Sequence, residues 1–146
     1  MIKIIRHTGI VIDNIKASLN FYKNILGFKI KKRLIESGAT IDKVSNLRKV
    51  RVETIKMYAK RNESQIELLY YHSHKKKSSD KKYNISRIGI SHFAVTVKNI
   101  DDTYKKLKMK KIKFVSKPRY SADGNVKMTF CRAPEGTLIE LVEELK

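Results

Sequence analysis

Cysteine is nearly absent from the sequence, which contains Cys131 alone. No intrachain disulfide can therefore form, and a reducing cytoplasm is the compartment that we expect. No apolar run approaches the roughly 18 residues needed to span a bilayer. The segment MIKIIRHTG also lacks the apolar core and cleavage site of a signal peptide. We therefore expect a cytoplasmic protein that does not have a membrane as its partner.

Several common catalytic motifs are missing as well. The sequence has no glycine-rich phosphate loop, no CxxC pair and no G-x-S-x-G nucleophile motif. Any chemistry must therefore come from residues that do not belong to these short motifs.

Acidic residues are scarce: 14 Asp and Glu stand against 33 Lys and Arg, which gives a net charge of +19. The lysines are spread along the whole chain, which is typical of a solvated surface rather than of a concentrated nucleic-acid interface. The charge also suits an acidic small molecule, such as a CoA or glutathione conjugate. We expect an anionic small molecule as the partner and regard nucleic acid as the less favoured one. Hydrophobic residues make up 41% of the chain, enough for a folded core.

The chain contains an internal repeat. The segment HTGIVIDNI, which begins at His7, matches HFAVTVKNI, which begins at His92, at an offset of 85 residues (92 minus 7). The segment IELL at residues 66–69 matches IELV at residues 139–142, at an offset of 73 residues (139 minus 66). The first copy is therefore 12 residues longer (85 minus 73), and we place the extra residues around Glu36–Lys49. Such repeats decide the architecture.

Each copy has the pattern strand, helix, strand, strand, strand. Alternating apolar residues predict the first strand, and Asn14 and Asn99 are suited to cap the helix that follows. Gly27 is a natural end for the first helix. The segments 28–30 and 112–114 are both apolar-Lys-apolar and strand-like. The sequence thus predicts an α+β fold of two tandem βαβββ modules, residues 1–71 and 88–146, joined by an exposed linker, residues 72–87.

The repeat also contains two histidines and two glutamates at matching positions. His7 and His92 stand at the start of the first strands, whereas Glu67 and Glu140 lie within the apolar last strands. A carboxylate in an apolar strand costs free energy unless a cation or hydrogen-bond donors compensate it. If the first and last strands of a copy pair, each histidine lies near its glutamate. A two-fold arrangement of the copies would then bring all four residues together.

Two imidazoles and two carboxylates suit a divalent ion such as Zn, Ni, Co, Mn or Mg. Such an ion acts as a Lewis acid and stabilises an enediolate or enolate. Glu140 or Glu67 would then be the catalytic group that moves a proton on the adjacent carbon.

Five segments of the chain form a recognisable set: HTGIVI from His7, SLNFYKNILGF from Ser18, IEL from Ile66, HFAVTV from His92 and PEGTLIEL from Pro134. Together they resemble the motifs of the vicinal oxygen chelate (VOC) family, also called the glyoxalase/bleomycin resistance/extradiol dioxygenase superfamily. The resemblance covers nearly the whole chain apart from the linker and Ser37–Arg48.

This resemblance implies a cup-shaped mixed sheet around a metal, with His7, Glu67, His92 and Glu140 as its ligands. The nearest members are glyoxalase I-like and methylmalonyl-CoA epimerase-like, which implies a metal-dependent lyase or isomerase acting on a small acid or thioester. A non-catalytic antibiotic-binding or resistance protein and an iron-dependent extradiol dioxygenase stay open as alternatives. The complete ligand set disfavours the first alternative, and Glu67 disfavours the second. Relatives are often dimers, which leaves a homodimer open.

Other residues are candidates for the walls of the site or for the core. Glu53, in the third strand of the first copy, is a candidate for the substrate pocket. Arg119 and Lys127, in a loop and strand near the predicted cup, are candidates for binding an acidic substrate. Cys131 lies in a strand-like run, so we expect it to be a buried structural thiol rather than a nucleophile.

Overall fold

A computed structural model describes residues 2–60, 65–75, 85–86 and 88–145 of the chain. The chain divides into two compact units, Met1–Ser79 and Asp80–Lys146. Each unit contains a four-stranded mixed sheet and has the strand–helix–three-strand order of a βαβββ module. The predicted α+β fold with two tandem modules is therefore confirmed.

The first unit is built on a sheet in which the first and last strands are neighbours. Its strands are β1 (His7–Val11), β2 (Lys29–Ser37), β3 (Arg51–Tyr58) and β4 (Gln65–Tyr71). Their order in the sheet is β1-β4-β3-β2. Strands β1 and β4 are parallel, whereas β2, β3 and β4 pair antiparallel in turn. Helix α1 (Ile15–Leu19) and a π-helical segment (Asn20–Ile25) connect β1 to β2.

A second helix, α2 (Ala39–Ser45), accounts for the extra residues of the first copy. It lies within the stretch Glu36–Lys49, where the repeat offsets place the insertion. The carboxylate of Asp42 accepts hydrogen bonds from the backbone amides of Lys49 and Val50, both at 2.8 Å. The helix therefore also holds the turn that leads into β3.

The second unit repeats this arrangement with a shorter edge strand. Its elements are β5 (His92–Thr96), α3 (Ile100–Met109), β6 (Arg119–Tyr120), β7 (Val126–Arg132) and β8 (Leu138–Glu144). The strand order is β5-β8-β7-β6, with β5 and β8 parallel and the other neighbours antiparallel. The first and last strands of this unit are thus adjacent as well.

Asparagine caps begin the first helix of each unit, as the sequence predicts. The side-chain oxygen of Asn14 accepts a hydrogen bond from the backbone amide of Ala17 at 2.9 Å. Asn99 accepts one from the amide of Asp102, also at 2.9 Å. Each bond satisfies an amide that has no partner within its helix. The π-helical segment is followed by Gly27 with φ +84°, a conformation that L side chains rarely adopt.

One face of the first sheet forms the core of its unit. Ile55 and Leu68 are cross-strand partners on this face, and both are fully buried. The π-helical segment adds Phe21 and Tyr22, whose rings meet edge to face with centroids 5.0 Å apart. A π-turn holds more residues than an α-turn, which lets two consecutive aromatic side chains turn inward together. Strand residues alternate in direction, so the neighbours of Leu68, including Glu67, face the opposite side.

The predicted strand at residues 112–114 is wrong. Phe114 forms a single antiparallel bridge with Cys131, and regular pairing with β7 begins only at Arg119. Lys111 has φ +62° directly after the helix, and Pro118 has no amide hydrogen to donate. Pairing with β7 is therefore interrupted between Phe114 and Arg119, whereas β2 of the first unit pairs with β3 from Lys29 onward.

The predicted linker, residues 72–87, lies mostly outside the described residues, which exclude 76–84 and 87. Its first residues continue the end of the first sheet. The backbone amides of His72 and Ser73 both donate to the carbonyl oxygen of Arg51, at 2.8 and 3.3 Å. None of the described helices has the length and apolar character needed to cross a membrane.

The cap of α3 provides a test of the repeat's local structure. We expect Asn99→Ala to lower the free energy of unfolding by about 1 kcal/mol, because the amide of Asp102 loses its acceptor. Urea unfolding followed by circular dichroism measures the change. Lys105→Ala, on the exposed side of the same helix, is the control and should leave the midpoint nearly unchanged. Equal midpoints for Asn99→Ala and the wild type would show that the cap contributes nothing.

Candidate metal centre

The parallel pairing of β1 with β4 places His7 beside Glu67. Glu67 is level with Gly9, so His7, two residues earlier in β1, lies on the same face of the sheet. His7 Nε2 is 3.1 Å from Glu67 Oε2, and the two side chains are 34% and 12% exposed. The predicted contact between this histidine and its glutamate is therefore present within the first unit.

The second carboxylate oxygen of Glu67 has a different neighbour. Lys56 lies directly across from Glu67 in the β3–β4 pair, and its Nζ is 3.4 Å from Glu67 Oε1. Lys56 is also partly exposed, at 31% of its side chain. Glu67 is thus shared between an imidazole on one oxygen and an ammonium group on the other.

The second unit repeats the histidine–glutamate contact in different surroundings. His92 Nε2 is 3.3 Å from Glu140 Oε2, with side chains 32% and 17% exposed. The residue across from Glu140 in the β7–β8 pair is Phe130, whose ring meets the His92 ring edge to face at 5.1 Å. The hydroxyl of Ser91 lies 2.7 Å from His92 Nδ1 and helps to orient the imidazole. Where the first unit has a cation, the second has an aromatic ring.

The residue beside each glutamate in the neighbouring parallel strand is small. The residue level with Glu67 in β1 is Gly9, and the residue level with Glu140 in β5 is Ala94. Both are small and exposed. Within either unit, over the residues that the structure describes, no third His, Cys, Asp or Glu joins the pair to form a larger ligand group.

Glu53 lies on the other face of the first sheet, away from Glu67. Its cross-strand partner is Tyr70, whereas Glu67 is paired with Lys56, three residues along β3. Glu53 is buried, and its two carboxylate oxygens contact Arg33 Nε at 2.5 Å and His72 Nε2 at 3.1 Å. Burial alone would raise the pKa of Glu53, but the hydrogen bonds and charges of Arg33 and His72 outweigh it and lower the pKa. This carboxylate therefore belongs to a separate ion-pair cluster.

The two predicted anion-binding residues of the second unit lie on opposite faces of its sheet. Arg119 is paired with Met128, which is in register with Val142, so Arg119 shares the face of Glu140. Lys127 is on the other face and donates to Asp101 in α3 at 2.5 Å. Its ammonium group also lies 4.9 Å from the centre of the Tyr120 ring. Arg119 is exposed at the sheet edge, whereas Lys127 is engaged by the helix.

Cys131 is fully buried in β7, as the sequence predicts. Burial raises the pKa of its thiol to about 12, so the thiol stays protonated at neutral pH. A protonated, inaccessible thiol is neither a nucleophile nor a metal ligand. This residue therefore has a packing role.

The contact of Lys56 with Glu67 in the site was not predicted from the sequence. The contacts of Arg33 and His72 with Glu53, in the separate cluster, were not predicted either. The sequence around Thr54 and Lys56 is strongly β-forming, so it predicts that Lys56 lies in a strand. Choosing its partner requires the register of β3 against β4, which a hydrophobic pattern does not specify to one residue. His72 directly follows β4 and lies in the segment that the sequence predicts as a linker.

The Glu53 cluster predicts a pH-dependent contribution to stability. The lowered pKa means that this contribution is present above the ordinary carboxyl pKa of 4.5 and is lost as the pH falls through the value in the folded protein. We expect Glu53→Gln to reduce the free energy of unfolding by about 1–3 kcal/mol at neutral pH and by clearly less near about pH 3. Urea unfolding at both pH values measures this, with the exposed Glu144→Gln as the control. A penalty that is the same at both pH values would contradict the assignment.

Comparison with known proteins agrees with the fold and extends over almost the whole chain. The Glyoxalase/Bleomycin resistance protein/Dioxygenase superfamily model matches residues 4–141. The uncharacterized protein YwbC of Bacillus subtilis (strain 168) is 24% identical over 143 residues, covering 98% of this chain and 99% of that protein.

Solved structures show the same fold. A glyoxalase family protein from Bacillus cereus has a TM-score of 0.86 at 23% identity, covering 99% of this chain and 97% of its own. The trypanothione-dependent glyoxalase I of Leishmania major has a TM-score of 0.66 at 19% identity, covering 97% of this chain and 87% of its own. Because the family match spans far more than half of the sequence, this chain belongs to the glyoxalase/bleomycin resistance protein/dioxygenase superfamily.

Proposed function

We propose that this protein is a divalent-metal-dependent lyase or isomerase, glyoxalase I-like or epimerase-like, that acts on a small acid or thioester. The observation that carries the proposal is the duplicated contact of an imidazole with a glutamate, one in each unit. Membership of the superfamily supports the same reading, since glyoxalase I of Leishmania major shares the fold. His7, Glu67, His92 and Glu140 are the proposed ligands of one ion.

The donor atoms fit a metal. Ligands at neighbouring positions, each about 2.1 Å from an ion, have donor atoms about 3.0 Å apart in an octahedral site and about 3.4 Å apart in a tetrahedral one. The nitrogen–oxygen separations are 3.1 Å in the first unit and 3.3 Å in the second. Neutral imidazole and carboxylate are ligand types that Zn, Ni, Co and Mn all accept. Each pair is therefore spaced as two adjacent ligands of one ion would be.

A bound divalent ion would supply Lewis-acid stabilisation of negative charge on a substrate oxygen. The protein's own groups would move the proton. Glu140 is the better candidate for this task, because among the described residues its carboxylate contacts only the imidazole of His92 and no ammonium or guanidinium group. Glu67 has both of its oxygens engaged, by His7 and by Lys56. We therefore assign Glu140 as the acid–base group and Glu67 as a ligand held in place by Lys56.

The phenyl ring of Phe130 supports this division of roles. It packs against the His92 ring and stands across the sheet from Glu140. An apolar neighbour excludes water from one side of the carboxylate and offers no competing hydrogen bond. A carboxylate in such surroundings is suited to take a proton from carbon.

Metal binding tests the proposal through its stoichiometry. We expect protein that has been dialysed against a chelator to bind one Co²⁺ per chain. Isothermal titration and the visible absorption of cobalt measure this binding. His7→Ala and His92→Ala should each weaken that single site by about tenfold or more, because a direct ligand contributes at least as much as an outer-shell partner. His74→Ala, an exposed histidine of the first unit, is the control.

The stoichiometry also distinguishes one shared ion from two independent sites. Two ions per chain, with one lost in each histidine variant, would contradict a shared site. Absence of cobalt binding would overturn the proposed function and leave the non-catalytic binding protein as the remaining interpretation.

Proton transfer by Glu140 is tested separately from metal binding. A screen of the metal-loaded protein with thiohemiacetal, acyl-CoA thioester and catechol substrates should find turnover with one of the first two. On that substrate, we expect Glu140→Gln to reduce kcat by about 10²–10⁴-fold, the range of general acid–base catalysis. Glu144→Gln, in the same strand but exposed, should retain full activity.

Glutamine keeps an oxygen that can contact the metal, so the cobalt spectrum shows whether the variant still binds the ion. Unchanged kcat in Glu140→Gln would contradict its role as the acid–base group. Turnover of catechol with iron and oxygen, in place of the other substrates, would identify a dioxygenase.

A further inference from the structure

A row of four residues crosses the first sheet on the face that carries His7. The strand registers place Lys32 across from Lys56, Lys56 across from Glu67, and Glu67 level with Gly9. Cross-strand partners project from the same face of a sheet. Two lysines therefore stand side by side next to the glutamate of the first histidine–glutamate pair. We call Lys32 and Lys56 the lysine pair.

The lysine pair is unfavourable for the folded protein by itself. Like charges directly opposite one another on neighbouring strands destabilise a sheet. Glu67 compensates only one of the two charges, since it contacts Lys56, whereas Lys32 forms no ion pair within the described part of the chain. Even with Glu67 ionised, the row Lys32–Lys56–Glu67 carries a net positive charge. Such a placement is stabilised when an anion binds between or above the ammonium groups.

The local backbone also departs from a regular sheet at this point. The register between β2 and β3 shifts between Ile30 and Lys32, which leaves Lys31 as the extra residue of a β-bulge. Bulges change the direction of side chains and occur frequently next to active sites. The bulge sets Lys32, rather than Lys31, opposite Lys56. It therefore decides which lysine of β2 stands beside Lys56.

The repeat shows that this cation is not required by the fold. The position of Lys56 across from Glu67 corresponds to that of Phe130 across from Glu140. The second unit forms the same histidine–glutamate contact with an aromatic ring there. Lys56 and Phe130 occupy equivalent positions, and the shared fold depends on neither of them. This position is therefore suited to determine substrate specificity.

We propose that Lys56, together with Lys32, binds an anionic substituent of the substrate, a carboxylate or phosphate, beside Glu67. Lys56 has the geometry for this role. Its ammonium group uses one contact on Glu67 Oε1 and has further hydrogens to donate. Gly9 adds to the space around Glu67, because it has no side chain on this face. The inference rests on the proposed function for the reaction, but the anion site itself lies wholly within the first unit.

The test uses three 2-hydroxy acids that differ in one substituent. Malate carries a second carboxylate and 3-phosphoglycerate a phosphate, whereas 2-hydroxybutyrate carries a methyl group in its place. Isothermal titration measures the affinity of each for the full-length protein, once loaded with Co²⁺ and once after dialysis against a chelator. We expect one of the two anionic acids to bind about tenfold more tightly than 2-hydroxybutyrate, the range of a charge-assisted hydrogen bond.

Substitution of Lys56 assigns the preference to its ammonium group. Lys56→Met keeps most of the side-chain volume and should reduce the preference to less than about threefold. Lys56→Arg should retain it, because the positive charge and the donors remain. Lys23→Met removes the same charge from an exposed position of the same unit and should leave the preference intact. Thermal unfolding of each variant verifies that it is folded.

The titrations of the cobalt-loaded and of the chelator-treated protein separate this inference from the proposed function. A preference that depends on Lys56 in the chelator-treated protein, without any cobalt binding, would support the anion site and overturn the metal-dependent function. Cobalt binding without a preference for either anionic acid would overturn the anion site and leave the metal function standing. A preference that persists in Lys56→Met would also overturn it. The stronger of malate and 3-phosphoglycerate identifies the carboxylate or the phosphate as the bound group.

Discussion

The parallel pairing of the first strand with the last strand is the constraint on which each unit depends. This pairing makes the first and last strands neighbours in the orders β1-β4-β3-β2 of the first unit and β5-β8-β7-β6 of the second. Parallel neighbours cannot be joined by a tight hairpin, so the chain must pass through a helix and two further strands before it returns. The same pairing brings a histidine from the start of one strand to a glutamate in the middle of another.

The glutamates show why this pairing has chemical consequences. Glu67 and Glu140 are flanked along their strands by Leu68 and Leu141, which are fully buried, while the glutamates face the other side of the sheet. Each carboxylate is mostly withdrawn from water and would be costly without a partner. The imidazole that the parallel strand supplies is a partner that can also share a cation. One contact thus stabilises the carboxylate and joins the two proposed metal ligands of each unit.

The two units keep this contact and vary what surrounds it. Lys56 gives the first unit a positively charged edge, whereas Phe130 gives the second an apolar one. The Glu53 cluster, on the core face of the first sheet, uses the same residue types for a different purpose. Its carboxylate is engaged by Arg33 and His72 and contributes to stability. The face of the strand therefore separates the glutamate of the structural cluster from the glutamate that we propose as a metal ligand.

Much of this arrangement was determined by the sequence alone. The repeat offsets predicted two βαβββ modules and located the insertion that α2 occupies. The cap positions Asn14 and Asn99 and the buried thiol of Cys131 followed from local chemistry, which a short segment specifies by itself. The four proposed metal ligands were identified because duplication made a histidine and a glutamate recur at matching positions.

Only the tertiary structure decided the neighbours of these residues. In the first sheet, the strand register sets Lys56 across from Glu67 and places Glu53 on the opposite face from Glu67. In the second sheet, it places Lys127 on the opposite face from Glu140 and Arg119 on the same face as Glu140. It also limited Phe114 to a single bridge. The physical reason is that side chains alternate with a period of two, so a shift of one residue moves a charge from one face of a sheet to the other. The residue types of the site were thus determined locally, and their contacts by long-range pairing.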